Sequence, residues 1–88
     1  MLLQNFTNSV RKLVPRVNIT SKEVRKILRR HGFVFVGQKG SHQQFKGIIK
    51  GVKRRVTVLD NKKDFDMKTF QSMVRQSGLE VKIFFEKK

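Results

Sequence analysis

The residues best suited to chemistry lie in one short stretch, residues 37–45, which reads GQKGSHQQF. Two glycines three positions apart, Gly37 and Gly40, indicate backbone that turns tightly or approaches a partner closely. Beside them, Lys39 offers a cation for an anionic group, and His42 offers an imidazole, which takes and releases protons near neutral pH. This combination predicts that His42 acts on a phosphodiester held by the basic surface around it.

Two less specific interpretations of this stretch stay open from the residues alone. A polar loop between two strands has much the same composition, and His42 could be a half-exposed strand residue in a protein that only binds its ligand. A metal-dependent reaction is disfavoured, because Asp60, Asp64 and Asp66 lie in a connection where carboxylates commonly cap helices and form turns. Two-metal sites require convergent carboxylates, so we predict a reaction without a metal ion or other cofactor.

Basic charge dominates the composition. The chain has 21 Lys and Arg residues against 6 Asp and Glu, a net charge of +15, and no acidic residue lies between Val24 and Leu59. A surface of this kind predicts a polyanionic partner: nucleic acid first, an acidic protein second and an anionic membrane surface third.

The length of 88 residues, with no evident internal linker, predicts one domain with a modest core. We expect no membrane-spanning helix, because no apolar run approaches the ~20 residues that one requires. The absence of cysteine excludes disulfides and thiolate metal sites, and we predict a cytoplasmic protein. Residues 1–18 contain no acidic residue and predict a leader or a short helix that ends at Pro15. A mitochondrial transit peptide is the alternative, disfavoured because arginines are few.

A helix is predicted to begin after Thr20, which forms a capping box with Glu23. Gly32 follows the helix as its expected C′ residue, and we predict a structural role for His31 at the negative end of the helix dipole. Apolar residues recur at helical spacing and predict the buried side, namely Val24, Ile27 and Leu28.

Three strands are predicted next, over residues 33–36, 43–49 and 53–59, joined as an antiparallel meander with a turn at Lys50-Gly51. Alternation places His42, Gln44 and Lys46 on one face and Phe45 on the other. A second helix is predicted over residues 67–76, between the cap Asp66 and the terminator Gly78.

Two conformations stay open for the tail, residues 79–88: its alternating apolar residues favour a further strand, whereas its short length also fits a helical turn with a frayed end. The order of helix, three strands and helix predicts an α+β fold with two helices on one face of a three-stranded antiparallel sheet. This α-β-β-β-α arrangement is that of double-stranded-RNA-binding domains.

Five segments of the chain, in order, carry a resemblance to a known family. They are ITSKEV (residues 19–24), HGF (31–33), QKGSH (38–42), RRVTV (54–58) and RQSGL (75–79). Together they resemble the HicA toxins of HicA–HicB toxin–antitoxin modules. The resemblance places the HicA-like domain at residues 19–79, with the leader at 1–18 and a C-terminal extension at 80–88.

The resemblance implies a small endoribonuclease, an mRNA interferase that acts in stress responses, with a double-stranded-RNA-binding-like fold. The essential histidine of the family lies in a Gly-Ser-His motif, which corresponds here to Gly40-Ser41-His42. It further implies a HicB-like antitoxin that occludes the active site, with the toxin a monomer when free and part of a hetero-oligomer when bound.

Within this hypothesis His42 is the general base, while either water or His42 itself protonates the leaving group. The alternative is a non-catalytic RNA- or DNA-binding module. The residues predicted to contact RNA are Lys39, Gly40, Ser41, Lys46, Arg54 and Arg55, with one of the last two expected to face the RNA or the antitoxin.

The chain departs from the family pattern at three places. Its leader is longer than usual, and residues 59–61 read Leu-Asp-Asn where family members often have Pro and a second His. Lys68 precedes Thr69 where the family usually has Gly. The missing histidine bears on any second proton-transfer group or antitoxin contact at that position.

Overall fold

The computed structural model of the chain describes residues 16–86. These residues form the predicted α+β fold, with two helices and a three-stranded antiparallel sheet, and a second sheet of two short strands. The leader or short helix was predicted over residues 1–18, of which residues 1–15 lie outside the described residues. The elements in chain order are β1 (Arg16–Val17), α1 (Ser21–Arg30), β2 (Val34–Lys39), β3 (His42–Ile49), β4 (Val52–Leu59), β5 (Phe65–Asp66), α2 (Met67–Ser77) and a 3-10 helix (Val81–Phe85).

Helix α1 begins and ends as its sequence predicts. The hydroxyl of Thr20 accepts a hydrogen bond of 3.0 Å from the Glu23 amide, and the Glu23 carboxylate accepts one of 2.8 Å from the Thr20 amide, which completes the capping box. Gly32 has φ +89°, the left-handed conformation that favours glycine after a helix. The Nδ1 atom of His31 lies 2.9 Å from the carbonyl oxygen of Ile27, in agreement with a structural role.

The central sheet has the order β2-β3-β4, with β2 at one edge. Its register is regular between β3 and β4, whereas the pairing of β2 with β3 shifts between Phe35 and Gly37 and leaves Val36 as the extra residue of a bulge. Phe45, Val56 and Val58 are fully buried on the face that packs against the helices. The opposite face carries the alternate residues of the same strands and is called the open face below.

A two-stranded sheet, which the sequence pattern did not reveal, pairs Arg16 with Asp66 and Val17 with Phe65. Val17 and Phe65 are both buried in the core. The guanidinium of Arg16 donates a hydrogen bond of 2.6 Å to Asp64, and this bond lowers the pKa of the Asp64 carboxyl. The start of the described chain is thereby tied to the segment that precedes α2.

Helix α2 is capped by Asp66, whose carboxylate accepts a 3.3 Å hydrogen bond from the Thr69 amide, and it ends at Gly78 with φ +74°. The strand favoured for the tail is wrong: Val81–Phe85 forms a 3-10 helix, in agreement with the alternative of a helical turn. Phe84 is buried, and its ring forms a T-shaped pair with the ring of Phe70, with 5.8 Å between the ring centroids. The segment packs on α1 and on Phe70 of α2, and it pairs with no strand among residues 16–86.

Candidate active site

The open face combines positive charge with a histidine. Of its eleven register positions in β2, β3 and β4, four are lysine or arginine, one is His42 and none is acidic. Cross-strand rows of this face contain Lys39, His42 and Leu59; then Gly37, Gln44 and Thr57; then Val34, Lys46 and Arg55; then Ile48 and Lys53. A face of this kind attracts an anionic ligand.

His42 is the first residue of β3 and follows directly on the Gly40-Ser41 turn. Its cross-strand partners are Lys39 on β2 and Leu59 on β4, and the side chains of both His42 and Lys39 are exposed. Directly opposed Cβ atoms in an antiparallel pair lie about 5 Å apart. The imidazole and the ammonium group can therefore reach the same phosphate.

Two hydrogen bonds, one from the end of β4 and one from β2, hold the turn before His42. Gly40 has φ +59°, which favours glycine at this position. The carbonyl oxygen of Ser41 accepts a 2.8 Å hydrogen bond from the Asp60 amide, and the side chain of Gln38 donates one of 2.9 Å to the carbonyl oxygen of Gly40. These bonds fix the backbone from which the imidazole projects.

Two residues of α1 support this end of the sheet, and the sequence analysis assigned no role in the site to either. The guanidinium of Arg25 donates 3.0 Å hydrogen bonds to the side chains of both Gln43 and Asp60. The hydroxyl of Ser21, which is 2% exposed, bonds the carbonyl oxygen of Leu59 and the amide of Lys62.

A signal for Ser21 was present in the sequence. It lies three and seven positions before Val24 and Leu28, which places all three on one side of the helix. A serine on a buried helix side must find hydrogen-bond partners. The contacts of Arg25 depend on the tertiary structure and carry no comparable sequence pattern.

Arg55 lies on the open face, where its Nε atom donates a 3.1 Å hydrogen bond to the side-chain oxygen of Gln44. The same oxygen accepts a 3.1 Å bond from the Thr57 hydroxyl, and Lys46 is the cross-strand neighbour of Arg55. The middle of the open face is thus a hydrogen-bonded patch with two adjacent cations.

Arg54 lies on the opposite face of the sheet from Lys46 and Arg55. Its guanidinium packs so closely on Gly78 that a Cβ atom built there would lie 2.5 Å from Arg54 Nε. That Nε atom is buried without a hydrogen-bond partner among the described residues. Of the Arg54-Arg55 pair, it is Arg55 that shares a face with His42.

Within residues 16–86, no group of three or more His, Asp or Glu side chains is placed to hold a metal ion. No helix in this part of the chain is long and apolar enough to cross a membrane.

Comparison with known proteins identifies one family. A family model described as "HicA toxin of bacterial toxin-antitoxin" matches residues 21–79, which is more than half of the chain. The matched segment contains α1, all three strands of the central sheet and α2, and it includes the turn before His42. No curated protein matches the chain.

Proposed function

Since the chain belongs to the HicA toxin family of bacterial toxin–antitoxin systems, we propose that it is an endoribonuclease that cleaves mRNA without a metal ion, with His42 as general base. The observation that carries the proposal is the position of His42, exposed beside Lys39 on a face without acidic residues.

The proposed reaction begins when the imidazole of His42 accepts the proton of a ribose 2′-hydroxyl. The 2′-oxygen then attacks the adjacent phosphorus, the bond from phosphorus to the 5′-oxygen breaks, and the products are a 2′,3′-cyclic phosphate and a 5′-hydroxyl. The leaving oxygen takes its proton from the imidazolium of His42 or from water. Positioned proton transfer of this kind contributes about 10²–10⁴-fold to a rate.

The other requirement is a group that stabilises negative charge on the phosphate. Lys39 supplies a cation opposite His42, and the turn at Gly40, which has no side chain, lets backbone amides approach the phosphate. Ser41, Lys46 and Arg55 are proposed to bind the flanking RNA. Arg54 has a different proposed role, because its side chain packs on Gly78 on the opposite face and supports the sheet.

An antitoxin partner follows from the family. We propose that it resembles HicB, binds the open face with acidic side chains and covers His42. The toxin is then a monomer when free and part of a hetero-oligomer when bound, and both proteins act in the cytoplasm. Loss of the antitoxin under stress would free the open face for mRNA.

The test compares wild type with His42→Ala on a labelled RNA in the presence of EDTA. We expect wild type to cut the RNA, and the variant to lose at least about 100-fold in cleavage rate while it still binds RNA. His31→Gln is the matched control and should still cut, because His31 lies at the end of α1. Equal cleavage by wild type and His42→Ala would exclude His42 as the general base.

A non-catalytic RNA- or DNA-binding module is the second candidate, and the charge of the open face is the observation that favours it. This alternative predicts salt-sensitive binding by wild type with no cut RNA after long incubation in EDTA. A 2′-deoxy substitution at the cleaved position separates the two candidates further, because it abolishes cleavage by the proposed mechanism and leaves simple binding intact.

A further inference from the structure

A second cationic site lies on the open face, at the end of the sheet away from His42. It is a groove of about 590 Å³ lined by Lys46, Ile48, Lys53 and Arg55 of the open face, together with Gly32, Gly47 and Arg54. Lys46 and Arg55 are cross-strand partners, and Ile48 and Lys53 form the next row of the same face. Four of its seven lining residues thus belong to the surface that carries the candidate active site, and Gly47 and Arg54 line it from the opposite face.

The groove is too far from His42 to hold the same phosphate. Lys46 lies four residues along β3 from His42, which corresponds to about 13 Å, and Ile48 lies six residues away, about 20 Å. A strand of RNA can contact both places only if it extends along β3.

The chemistry of the groove fits a phosphate and its sugar. Lys46, Lys53 and Arg55 are exposed, and no acidic side chain lines the groove. The ion pairs of the described residues join other side chains and leave these three cations available. The bond from Arg55 Nε to Gln44 holds the guanidinium in place, and Ile48, which is 63% exposed, supplies an apolar wall.

We propose that this groove is a subsite for a backbone phosphate of the RNA, several nucleotides from the bond that is cut. The inference rests on the proposed function and adds to it that the substrate is an extended RNA strand. Because the groove binds substrate away from the reacting atoms, its loss raises KM for a long RNA and leaves kcat unchanged.

The test uses Lys53→Gln, with Lys22→Gln on the exposed side of α1 as a control that removes the same charge elsewhere. The long probe is an RNA of about 12 nucleotides, within the site sizes of single-strand-binding folds, and the short probe is a dinucleoside monophosphate. Affinity for the long RNA is measured at several salt concentrations in the His42→Ala background. Cleavage of both probes is measured in the protein that retains His42.

We expect Lys53→Gln to weaken binding of the long RNA about twofold to fivefold. It should lower the slope of log affinity against log salt by about 0.7, the value for one phosphate contact on a single strand. Cleavage of the dinucleotide should not change. Lys22→Gln should leave the affinity and the salt slope close to those of the parent protein.

Equal effects of Lys53→Gln and Lys22→Gln would overturn the subsite, because net charge alone would then explain both. An equal loss on the long and short probes would also overturn it. These outcomes differ from failure of the proposed function, in which the wild-type protein cuts neither probe while the binding measurements still report on the groove.

Discussion

The hydroxyl of Ser21 donates a hydrogen bond of 2.5 Å to the carbonyl oxygen of Leu59. Leu59 is the cross-strand partner of His42 on β4. The same hydroxyl accepts a 2.8 Å bond from the Lys62 amide, and the Ser21 amide donates a 2.9 Å bond to the Lys62 carbonyl. The first residue of α1 therefore holds the end of β4 and the turn beyond it beside the candidate active site.

Ser21→Ala should lower the free energy of unfolding by about 1–3 kcal/mol, because the carbonyl of Leu59 and the amide of Lys62 both lose a partner at a buried position. Each kcal/mol corresponds to about 4–8 °C in Tm for a domain of this size. Urea unfolding followed by circular dichroism measures the change. Ser72→Ala is the control, because its hydroxyl has one contact of 3.4 Å with Arg75; an equal loss in both variants would contradict the assigned role.

Arg25→Met should reduce cleavage while the fold is retained. The methionine keeps an apolar stem but loses both 3.0 Å bonds, one to Gln43 on β3 and one to Asp60, whose amide donates to the Ser41 carbonyl in the turn before His42. Under the proposed function we expect kcat to fall about tenfold, equivalent to about 1.4 kcal/mol of barrier, with KM little changed. Arg25→Lys should restore part of the rate.

The matched control for this prediction is Arg29→Met, which removes an exposed arginine one turn further along α1. It should lower affinity for RNA at most slightly and leave kcat unchanged. If Arg25→Met raised KM with kcat intact, Arg25 would be an RNA contact and not a positioning residue.

Gly47→Ala should destabilise the protein by about 1–3 kcal/mol, the usual cost of overpacking a core. A Cβ atom at Gly47 would lie 2.8 Å from the ring of Phe33, which is 2% exposed and has little room to move. Thermal unfolding of Gly37→Ala provides the comparison, since a Cβ there meets no atom within 4 Å. Comparable Tm values for the two variants would refute the close packing at Gly47.

Local patterns in the sequence predicted the helices well. The capping box of Thr20 and Glu23, the cap Asp66 and the left-handed Gly32 and Gly78 all depend on residues close in the chain, so sequence alone identified them. Alternation likewise placed His42, Gln44 and Lys46 on one face, because the two-residue period of a strand is a local property.

Features that depend on distant partners could not be predicted in the same way. The strands β1 and β5 have two residues each, too few for a periodic pattern, and they pair across about fifty positions of sequence. The tail alternates like a strand, but burial of Phe84 against Phe70 favoured a 3-10 helix. The choice between Arg54 and Arg55 required the sheet register and the position of Gly78.

Acid should destabilise the protein partly through Asp66. The hydrogen bond from the Thr69 amide lowers the pKa of this carboxyl, so the folded state binds fewer protons than the unfolded state as the pH falls. The contribution of Asp66 is complete above the ordinary aspartate pKa and is lost as the pH falls through the lower, folded-state value.

Asp66→Asn tests this pH dependence, since asparagine caps a helix about as well but does not titrate in this range. We expect Tm, measured from about pH 7 to about pH 3, to fall less in the variant than in wild type. Asp66→Ala, which removes the cap, should be less stable already at neutral pH. Parallel curves for wild type and Asp66→Asn would show that the cap does not depend on the charge.

Phe84→Ala should lower the free energy of unfolding by about 3–5 kcal/mol, the usual loss for a buried phenylalanine. Residue 84 lies beyond the segment that matches the family model. Phe84 is 3% exposed and packs edge-on against Phe70, whereas its neighbour Phe85 is 52% exposed. Phe85→Ala is therefore the control. It should lower the free energy of unfolding much less, since the substitution removes mainly a partly exposed contact with Phe70. Urea denaturation of both variants measures the difference, and equal losses would contradict the burial of Phe84. Because this packing joins the tail to α2, a chain that ends at Leu79 should unfold at a lower urea concentration than the full protein.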